Sequence, residues 1–377
     1  MSVASQSEAS VPFVDVGASI DGLREAILAD VAALFESGAF TNGPEVEEFE
    51  RAFATYCRTA HCVGVSNGLD ALRLALLAAG IQDGDEVLVP ANTFVATFAA
   101  IRQAGGRPVP VDASERDYNI DPVLAEQAIK SGTRFLVPVH LYGQLADMRA
   151  LTEIAERRDL GVIEDAAQAH GATRDGFRAG SGGLAGTFSF YPSKNLGAAG
   201  DAGAIVTDNG ELAPRLRALR EHGQKTKYVH EAEGYTARLD TLQAIVLLHK
   251  LPRLDRWNEE RRSAARFYGE ALDGLGDLRL PPVPEGSNPV WHLYVVRTED
   301  PDRLAAHLAG RGISTGRHYP QPPHLSSAFS WLGYSRGAFP VTEDLADHGL
   351  SLPIFPGITE EQLEAVRAAV AEHFERG

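Results

Sequence analysis

The chain has 377 residues, of which 44% are hydrophobic and 23% are charged. This length allows a large buried core and predicts two or three domains of roughly 100 to 200 residues each. The formal net charge of -16, from 35 basic and 51 acidic residues, argues against nucleic acid or an anionic membrane surface as a main partner, although small anionic ligands can still bind locally.

The two cysteines, Cys57 and Cys62, are too few for a disulfide framework. No charged-then-apolar leader opens the chain and no apolar run approaches the length of a membrane span, so we expect a cytoplasmic protein. The cysteines bracket His61, but the string CRTAHC lacks the second pair of ligands that a zinc site needs. We therefore expect no metal site.

Helical periodicity covers Ile20 to Ser37 and Pro44 to Arg58, and short apolar runs then alternate with helix-like segments. The predicted strands are CVGV, EVLVP, RPVPVD, RFLVPVHL, LGVIEDA, GTFSFY and GAIVT. Several of these runs are apolar throughout, which is typical of strands buried on both faces. The alternation of strands and helices predicts an α/β fold with a mainly parallel central sheet.

The pattern changes after about Lys250. Leu254 to Leu272 reads as one long helix, PPVPEGSNP as a linker and WHLYVVR as an alternating strand, and two more helices are expected to close the chain. We predict a large α/β domain over residues 1–250 and a smaller C-terminal α+β domain over residues 251–377.

Two glycine-containing strings are candidate binding or catalytic motifs. GSGGLA, residues 180–185, fits a loose dinucleotide pattern, but it precedes a strand where that fingerprint must follow one. GVSNG matches the nucleophile elbow of serine hydrolases, with Ser66 as the nucleophile, and lies between a strand and a helix. The same geometry equally allows the amides of Gly68, Leu69 and Asp70 to form an anion cup at a helix N-terminus.

An acid and an amine follow two strands of the predicted sheet. Asp165 ends the run GVIED, and Lys194 follows the run GTFSFY in a loop of small residues. The carboxyl ends of parallel strands line the ligand crevice, so both groups can converge with the anion cup. These are the groups that pyridoxal 5'-phosphate (PLP) requires, namely an amine, a carboxylate for the pyridine nitrogen and a phosphate site.

Over most of its length, from Val11 to about Thr359, the chain resembles the DegT/DnrJ/EryC1/StrS family of PLP-dependent sugar aminotransferases. The matching strings are NGPEVEEFE, SNGLDAL, PANTFVAT, VIEDAAQAHGA, SFYPSKNLGAAGDAGAIVT and RLDTLQA. The resemblance implies fold type I, which is the aspartate aminotransferase-like fold. It also implies that Lys194 is the Schiff-base lysine and that Asp165 pairs with the pyridinium nitrogen. Further cofactor contacts implied in the same way are Gln168 near the ring oxygen, Phe94 on the ring face, and Gly68, Leu69 and Ser189 at the phosphate.

Two positions depart from the family pattern. Leu69 stands where many relatives carry threonine, so only its backbone amide can serve the phosphate. GYTAR stands where the family commonly has GxNxR, whose asparagine reaches the phosphate of the neighbouring subunit. Thr236 reaches less far than asparagine, and Arg238 is the alternative cation there. The family works as a homodimer with shared active sites, and we expect the same here.

Three strings bear on the substrate: HLYGQ, HGQKTKYVHE and HYPQPPHLS. They most resemble the branch that aminates C3 of nucleotide-linked 3-keto-6-deoxyhexoses, usually on dTDP. Cations and aromatics in these loops suit a sugar diphosphate, although each residue equally fits a solvated or structural role. The substrate contacts implied are Lys225, Tyr228, His230, His318 and Tyr319.

The resemblance implies a ping-pong transamination from L-glutamate, leaving 2-oxoglutarate, with Lys194 as the base. Desolvation is expected to lower the pKa of Lys194 for that task. The alternatives are C4 amination of a nucleotide-linked 4-keto sugar, a serine hydrolase acting through Ser66, and a non-catalytic regulator or ligand sensor on the same fold. A PLP-dependent sugar dehydratase is disfavoured because such relatives replace the lysine with histidine.

Overall fold

The computed structural model describes residues 10–375, so the first nine residues of the predicted large domain and the last two of the small one lie outside it. Its strands are β1 (His61–Val65), β2 (Glu86–Pro90), β3 (Arg107–Val111), β4 (Thr133–Leu136), β5 (Gly161–Asp165), β6 (Thr173–Arg174), β7 (Phe177–Arg178), β8 (Ala185–Ser189), β9 (Gly203–Thr207), β10 (Gln224–Thr226), β11 (Val229–His230), β12 (Ser287–Asn288), β13 (Tyr294–Arg297) and β14 (Gly349–Leu352). Its α-helices are α1 (Arg24–Ser37), α2 (Pro44–Cys57), α3 (Gly68–Ala78), α4 (Val95–Gln103), α5 (Pro122–Ala128), α6 (Met148–Arg158), α7 (Leu212–Arg220), α8 (Thr241–Lys250), α9 (Leu254–Ala271), α10 (Pro301–Ala309), α11 (Pro340–His348) and α12 (Glu360–Glu375).

Seven strands form the central sheet in the order β1-β9-β8-β5-β4-β2-β3. Strands β3, β2, β4, β5 and β8 pair in parallel, whereas β9 runs antiparallel to both β8 and β1. The predicted mainly parallel sheet is therefore confirmed. The run RFLVPVHL supplies only the short strand β4, which ends before Pro138, a residue without an amide to donate to a neighbouring strand.

Both faces of the sheet are buried. Within β2, Val87 and Val89 pack into one hydrophobic cluster with helices α3 and α4, while Leu88 packs into the cluster on the other face. In β5, Ile163 and Val162 divide between the two clusters in the same way. Apolar side chains are needed on both faces, which explains why these runs show no alternation of apolar and polar residues.

The C-terminal part of the chain has a hydrophobic cluster of its own, drawn from α9, α10, β13, β14 and α12. Val11 joins this cluster and bonds across to Gly312, so the N-terminal segment packs with the C-terminal core. The division at residue 250 stays a proposal. The expectation of two closing helices was wrong, because α10, α11 and α12 all follow β13, and β14 pairs antiparallel with it.

A small sheet absent from the sequence prediction joins the two parts. Strands β6 and β7 form a hairpin at Asp175 and Gly176, whose φ angles are 52° and 89°. An Asp-Gly pair with positive φ at both positions is the turn signal that could have predicted it. The predicted linker contributes β12, which pairs with β6. None of the helices within residues 10–375 is both long and apolar enough to cross a membrane. The cytoplasmic location stays a prediction.

Candidate active site

The predicted site residues follow strands that end at one edge of the sheet. Asp165 closes β5 and pairs in register with Thr187 of β8, and Ser189 closes β8 opposite Gly203. Gly203 in turn faces Val65, the last residue of β1, directly before the turn into α3. Strands β1, β5 and β8 point the same way, so the residues that follow them meet at the carboxyl edge.

Asp165 is held by two hydrogen bonds. The amide of Ala167 donates to its Oδ1 at 3.2 Å, and the hydroxyl of Thr97 donates to its Oδ2 at 2.9 Å. Thr97 is buried, and its hydroxyl also contacts that of buried Thr93 at 2.8 Å. Burial raises the pKa of Asp165, while the Thr97 bond, the Ala167 amide and the charge of Lys194 oppose that rise. Sequence reasoning missed Thr97, which is the last residue of the string PANTFVAT.

Lys194 lies in the loop that follows β8. Burial lowers the pKa of its amine to about 8, against the opposing attraction of Asp165. About a tenth of the amine is therefore uncharged at pH 7, and the direction of the shift is the one expected from the sequence. The next residue anchors the loop, because the Nδ2 of Asn195 donates to Asn258 Oδ1 at 2.9 Å and to the carbonyl of Val290 at 2.8 Å.

The N-terminus of α3 supplies amides for an anion. Asn67 caps the helix by accepting from the amide of Asp70 at 2.8 Å, so the prediction that the Asp70 amide is free for a ligand was wrong. Within residues 10–375 the amides of Gly68 and Leu69 have no hydrogen-bond acceptor. A Cβ on Gly68 would lie 2.6 Å from the Cβ of Ser189, so only glycine lets the start of α3 pack this closely against Ser189.

Ser66 is not arranged as a nucleophile. Its hydroxyl donates to the carboxylate of Asp70, which also accepts from Asn67 Nδ2 at 3.0 Å and forms an ion pair with Arg73 at 2.6 Å. Within residues 10–375 the hydrogen bonds of the Ser66 hydroxyl reach Asp70 and Asn67, and no histidine. A serine nucleophile needs an adjacent base that takes its proton, so this geometry disfavours the hydrolase.

Gln168 brings the predicted cofactor and substrate residues together. Its Oε1 accepts from the amide of Tyr142 at 2.7 Å, and its Nε2 donates to the hydroxyl of Tyr319 at 3.0 Å. Phe94 is 48% exposed, so it is not a core aromatic, and its ring centroid lies 5.2 Å from that of Tyr319. His318 directly precedes Tyr319 in the chain. Burial lowers the pKa of His318 to about 4, so this imidazole is neutral at physiological pH.

The other predicted substrate residues lie on the exposed hairpin of β10 and β11. Lys225 pairs with Glu231 at 3.2 Å, Tyr228 is 80% exposed, and the Nδ1 of His230 lies 2.8 Å from the carbonyl of His222. In the described chain these contacts do not reach Lys194 or Asp165. The roles predicted for these residues stay predictions.

The position that departs from the GxNxR pattern lies at the base of this hairpin. The hydroxyl of Thr236 contacts the ring of His222 at 3.3 Å. Arg238 donates to Glu221 at 2.7 Å, so its charge is already offset by a carboxylate within the chain. The contact of Thr236 with the phosphate of a neighbouring subunit stays a prediction.

The glycine-rich string GSGGLA surrounds an internal anion. Glu164 is fully buried one residue before Asp165, and the ring of His140 contacts its Oε2 at 2.7 Å. The three loop amides that donate to the same carboxylate, at 2.8, 2.6 and 2.9 Å, are those of Gly180, Gly182 and Gly183. These glycines therefore wrap a carboxylate of the protein and leave no dinucleotide site, in agreement with the order of strand and loop.

Comparison with known proteins points to one family of aminotransferases. A model of the DegT/DnrJ/EryC1/StrS aminotransferase family matches residues 21–371. The dTDP-3-amino-3,4,6-trideoxy-alpha-D-glucose transaminase of Streptomyces venezuelae is 49% identical over 366 residues, which cover 97% of this chain and 97% of that protein.

Solved structures agree with the family model. The structure of S. venezuelae DesV in complex with a ketimine intermediate has a TM-score of 0.96 and 48% identity, covering 98% of this chain and 99% of that one. The structure of ntda from Bacillus subtilis with bound cofactor PMP has a TM-score of 0.90 and 35% identity, covering 97% of this chain and 85% of that one. The predicted fold type I is confirmed, and the chain belongs to the DegT/DnrJ/EryC1/StrS aminotransferase family.

Proposed function

We propose that this protein is a PLP-dependent aminotransferase that places an amino group on C3 of a nucleotide-linked keto sugar. One observation carries the chemistry: a desolvated lysine, a carboxylate and free helix-end amides meet at one edge of the sheet. Substrate class and ring position are supported by the relative from S. venezuelae, whose name specifies a dTDP-linked 3-amino sugar.

The residues present fit PLP. The amides of Gly68 and Leu69 and the hydroxyl of Ser189 would hold the phosphate, since helix N-terminal amides favour anions. Asp165 would hold the pyridine nitrogen, because two donors leave its carboxylate free to accept a further hydrogen bond. When bound, the cofactor supplies an electron sink for the carbon that loses its proton. We propose that Phe94 covers the ring face and that Gln168 lies beside the ring oxygen.

Lys194 is proposed to attach the cofactor and to move the proton. Its pKa of about 8 keeps both the charged and uncharged amine accessible near neutral pH, so Nζ can accept a proton in one step and return it in another. The loop around it consists of small residues, and Asn195 fixes the loop to α9. The loop that carries Lys194 is therefore anchored by Asn195, while Lys194 itself is half-buried.

The amino donor is proposed to be L-glutamate, which leaves as 2-oxoglutarate, and the acceptor a dTDP-linked 3-keto-6-deoxyhexose. His318 and Tyr319 are proposed to border the sugar, and the contacts of Tyr319 with Gln168 and Phe94 support this proposal. His318 is neutral and would act through hydrogen bonds, without a net charge. Charge for the diphosphate is proposed to come from the hairpin of β10 and β11.

That hairpin is proposed to serve the site of a second copy in a homodimer. Tyr228 and Val229 are 80% and 51% exposed at its tip, although aromatic and branched apolar side chains are normally covered. On α1, Leu28 and Phe35 are 59% and 68% exposed. A partner that covers these surfaces would bring Lys225, Tyr228 and His230 to a shared site, with Thr236 near the phosphate of that site.

The test begins with the visible absorbance of the purified protein with PLP, before and after L-glutamate. We expect the visible band of the PLP form to convert to the shorter-wavelength PMP form. The PMP form is then mixed with a dTDP-3-keto sugar or, separately, a dTDP-4-keto sugar, and only the first should restore the visible band.

Lys194→Ala is the control, because it should keep the fold by circular dichroism and lose turnover. Substantial transamination by Lys194→Ala would refute the assignment of the lysine. A PLP form that glutamate leaves unchanged would point to another donor or to a protein that binds cofactor without transaminating. Faster reaction with the 4-keto sugar would move the amination to C4.

A further inference from the structure

Tyr142, in the string HLYGQ, has every polar group bonded to a different segment. Its amide donates to Gln168 Oε1 at 2.7 Å, and its carbonyl accepts from the amide of Leu293 at 3.3 Å. Its hydroxyl donates to the carbonyl of His318 at 2.5 Å. One residue thus joins the segment after β5 to two segments of the C-terminal region.

The geometry at Tyr142 is unusual for a tyrosine. Its φ is 59°, in the left-handed region that a bulky residue adopts only when its surroundings demand it. The residue is 6% exposed, and burial raises the pKa of Tyr142 above its usual range, so the hydroxyl keeps its proton. The next residue, Gly143, has a φ of 92°, and a Cβ there would lie 2.7 Å from the amide nitrogen of His292. The backbone turn at Tyr142 and Gly143 is therefore held by the hydrogen bonds of Tyr142 and by the close approach of Gly143 to His292.

The contacts form a closed ring of side chains and backbone. Gln168 is oriented by the Tyr142 amide, which fixes which end of its side-chain amide points to the hydroxyl of Tyr319. The adjacent residue, His318, is held by the hydroxyl of Tyr142. The segment that carries His318 and Tyr319 is thus attached at two neighbouring points, one through Gln168 and one directly through Tyr142.

We propose that Tyr142 is a positioning residue for the acceptor half of the reaction, holding the His318–Tyr319 segment where the nucleotide-linked sugar binds. This proposal rests on the function proposed above. The hydroxyl bonds to the carbonyl of His318 and also interacts with the side chain of Asn92, whereas the orientation of Gln168 depends on the backbone amide of Tyr142. Removal of the hydroxyl therefore loosens the attachment of the His318–Tyr319 segment while the bond from the Tyr142 amide to Gln168 stays in place.

Tyr142→Phe makes that separation, because it deletes the hydroxyl and keeps the ring and the backbone. The loss of one buried hydrogen bond predicts a KM for the dTDP-keto sugar that is about fivefold to tenfold higher. The dissociation constant of PLP and the rate of the glutamate half-reaction should stay within about twofold of wild type, since the hydrogen bonds that hold Asp165 come from Thr97 and Ala167 and do not involve Tyr142. Each half-reaction is followed separately by absorbance.

Tyr268→Phe is the matched control. Its hydroxyl is also buried and donates to a backbone carbonyl, that of Pro353 at 2.9 Å, within the C-terminal core. This variant should leave both half-reactions unchanged. A second readout needs no substrate: hydrogen–deuterium exchange over residues 317–322 should accelerate in Tyr142→Phe and not in Tyr268→Phe.

Several results would overturn the proposal. Wild-type exchange over residues 317–322 in Tyr142→Phe would show that the hydroxyl does not hold the segment. Faster exchange with an unchanged KM would show that the segment does not position the sugar. Equal slowing of both half-reactions, or weaker PLP binding, would assign the hydroxyl to general stability. If the wild-type protein aminates neither keto sugar, the proposed function fails, and the exchange data still decide whether Tyr142 holds the segment.

Discussion

Thr97→Val tests whether the Thr97 hydroxyl lowers the pKa of Asp165 and strengthens the binding of PLP. The Thr97 hydroxyl donates to Asp165 Oδ2 at 2.9 Å from a buried position, and valine has nearly the same shape without the donor. A hydrogen bond to a charged group is worth about 1.5 to 3 kcal/mol. Asp165 is only half-buried, so we take the lower end of this energy range. We therefore expect Thr97→Val to bind PLP roughly tenfold more weakly than wild type.

The direction of the pH effect follows from the same contact. The Thr97 bond lowers the pKa of Asp165 against the rise caused by burial. Without it the pKa rises further, so the carboxylate is lost at a higher pH as the solution is acidified. PLP binding by Thr97→Val should therefore weaken at a higher pH than binding by wild type.

The assay is a fluorescence titration of the apo protein with PLP at several pH values. Thr97→Ser keeps a hydroxyl and should restore most of the affinity. Thr93→Val removes a hydroxyl that contacts Thr97 at 2.8 Å, and it should have a smaller effect than Thr97→Val. If Thr97→Val binds PLP as tightly as wild type at every pH, or if Thr93→Val has the larger effect, the reasoning is wrong.

Two further predictions concern the neighbouring groups. The rate of covalent attachment of PLP to Lys194 should rise with pH and level off above about pH 8, the pKa to which burial lowers this amine; a rise that continues towards pH 10.5 would show an ordinary exposed lysine. A fluorophosphonate probe should fail to label Ser66, because its hydroxyl is bound to Asp70 and lacks a histidine base within residues 10–375. Labelling that disappears in Ser66→Ala would revive the hydrolase.

The positions of Asp165, Lys194 and the α3 amides could be predicted from the sequence because each follows directly from its own strand. Parallel strands deliver the residues after them to one edge, whatever the details of packing. Thr97 and Tyr142 escaped because their roles depend on contacts between distant segments. Thr97 is 68 residues from Asp165, and Tyr142 is 176 residues from His318.

Two other features that the sequence analysis missed are marked by short motifs in the local sequence. The string SNG before a helix is a capping signature, and it implies that Asn67 takes the amide of Asp70. The Asp-Gly pair at residues 175 and 176 is a hairpin signature between two short runs. In both cases a rule for short-range hydrogen bonding decides the local structure, and the sequence analysis did not apply it.

Glu164 and Asp165 show what decides between a structural and a functional acid. They are adjacent at the end of β5 and point to opposite faces, and their sequence context is the same. Glu164 is fully buried and contacts four donors, which match the lone-pair sites of a carboxylate. Asp165 has two donors and is half-buried. Its unused acceptor sites are what a carboxylate needs to bind a ligand, whereas Glu164 has none to offer.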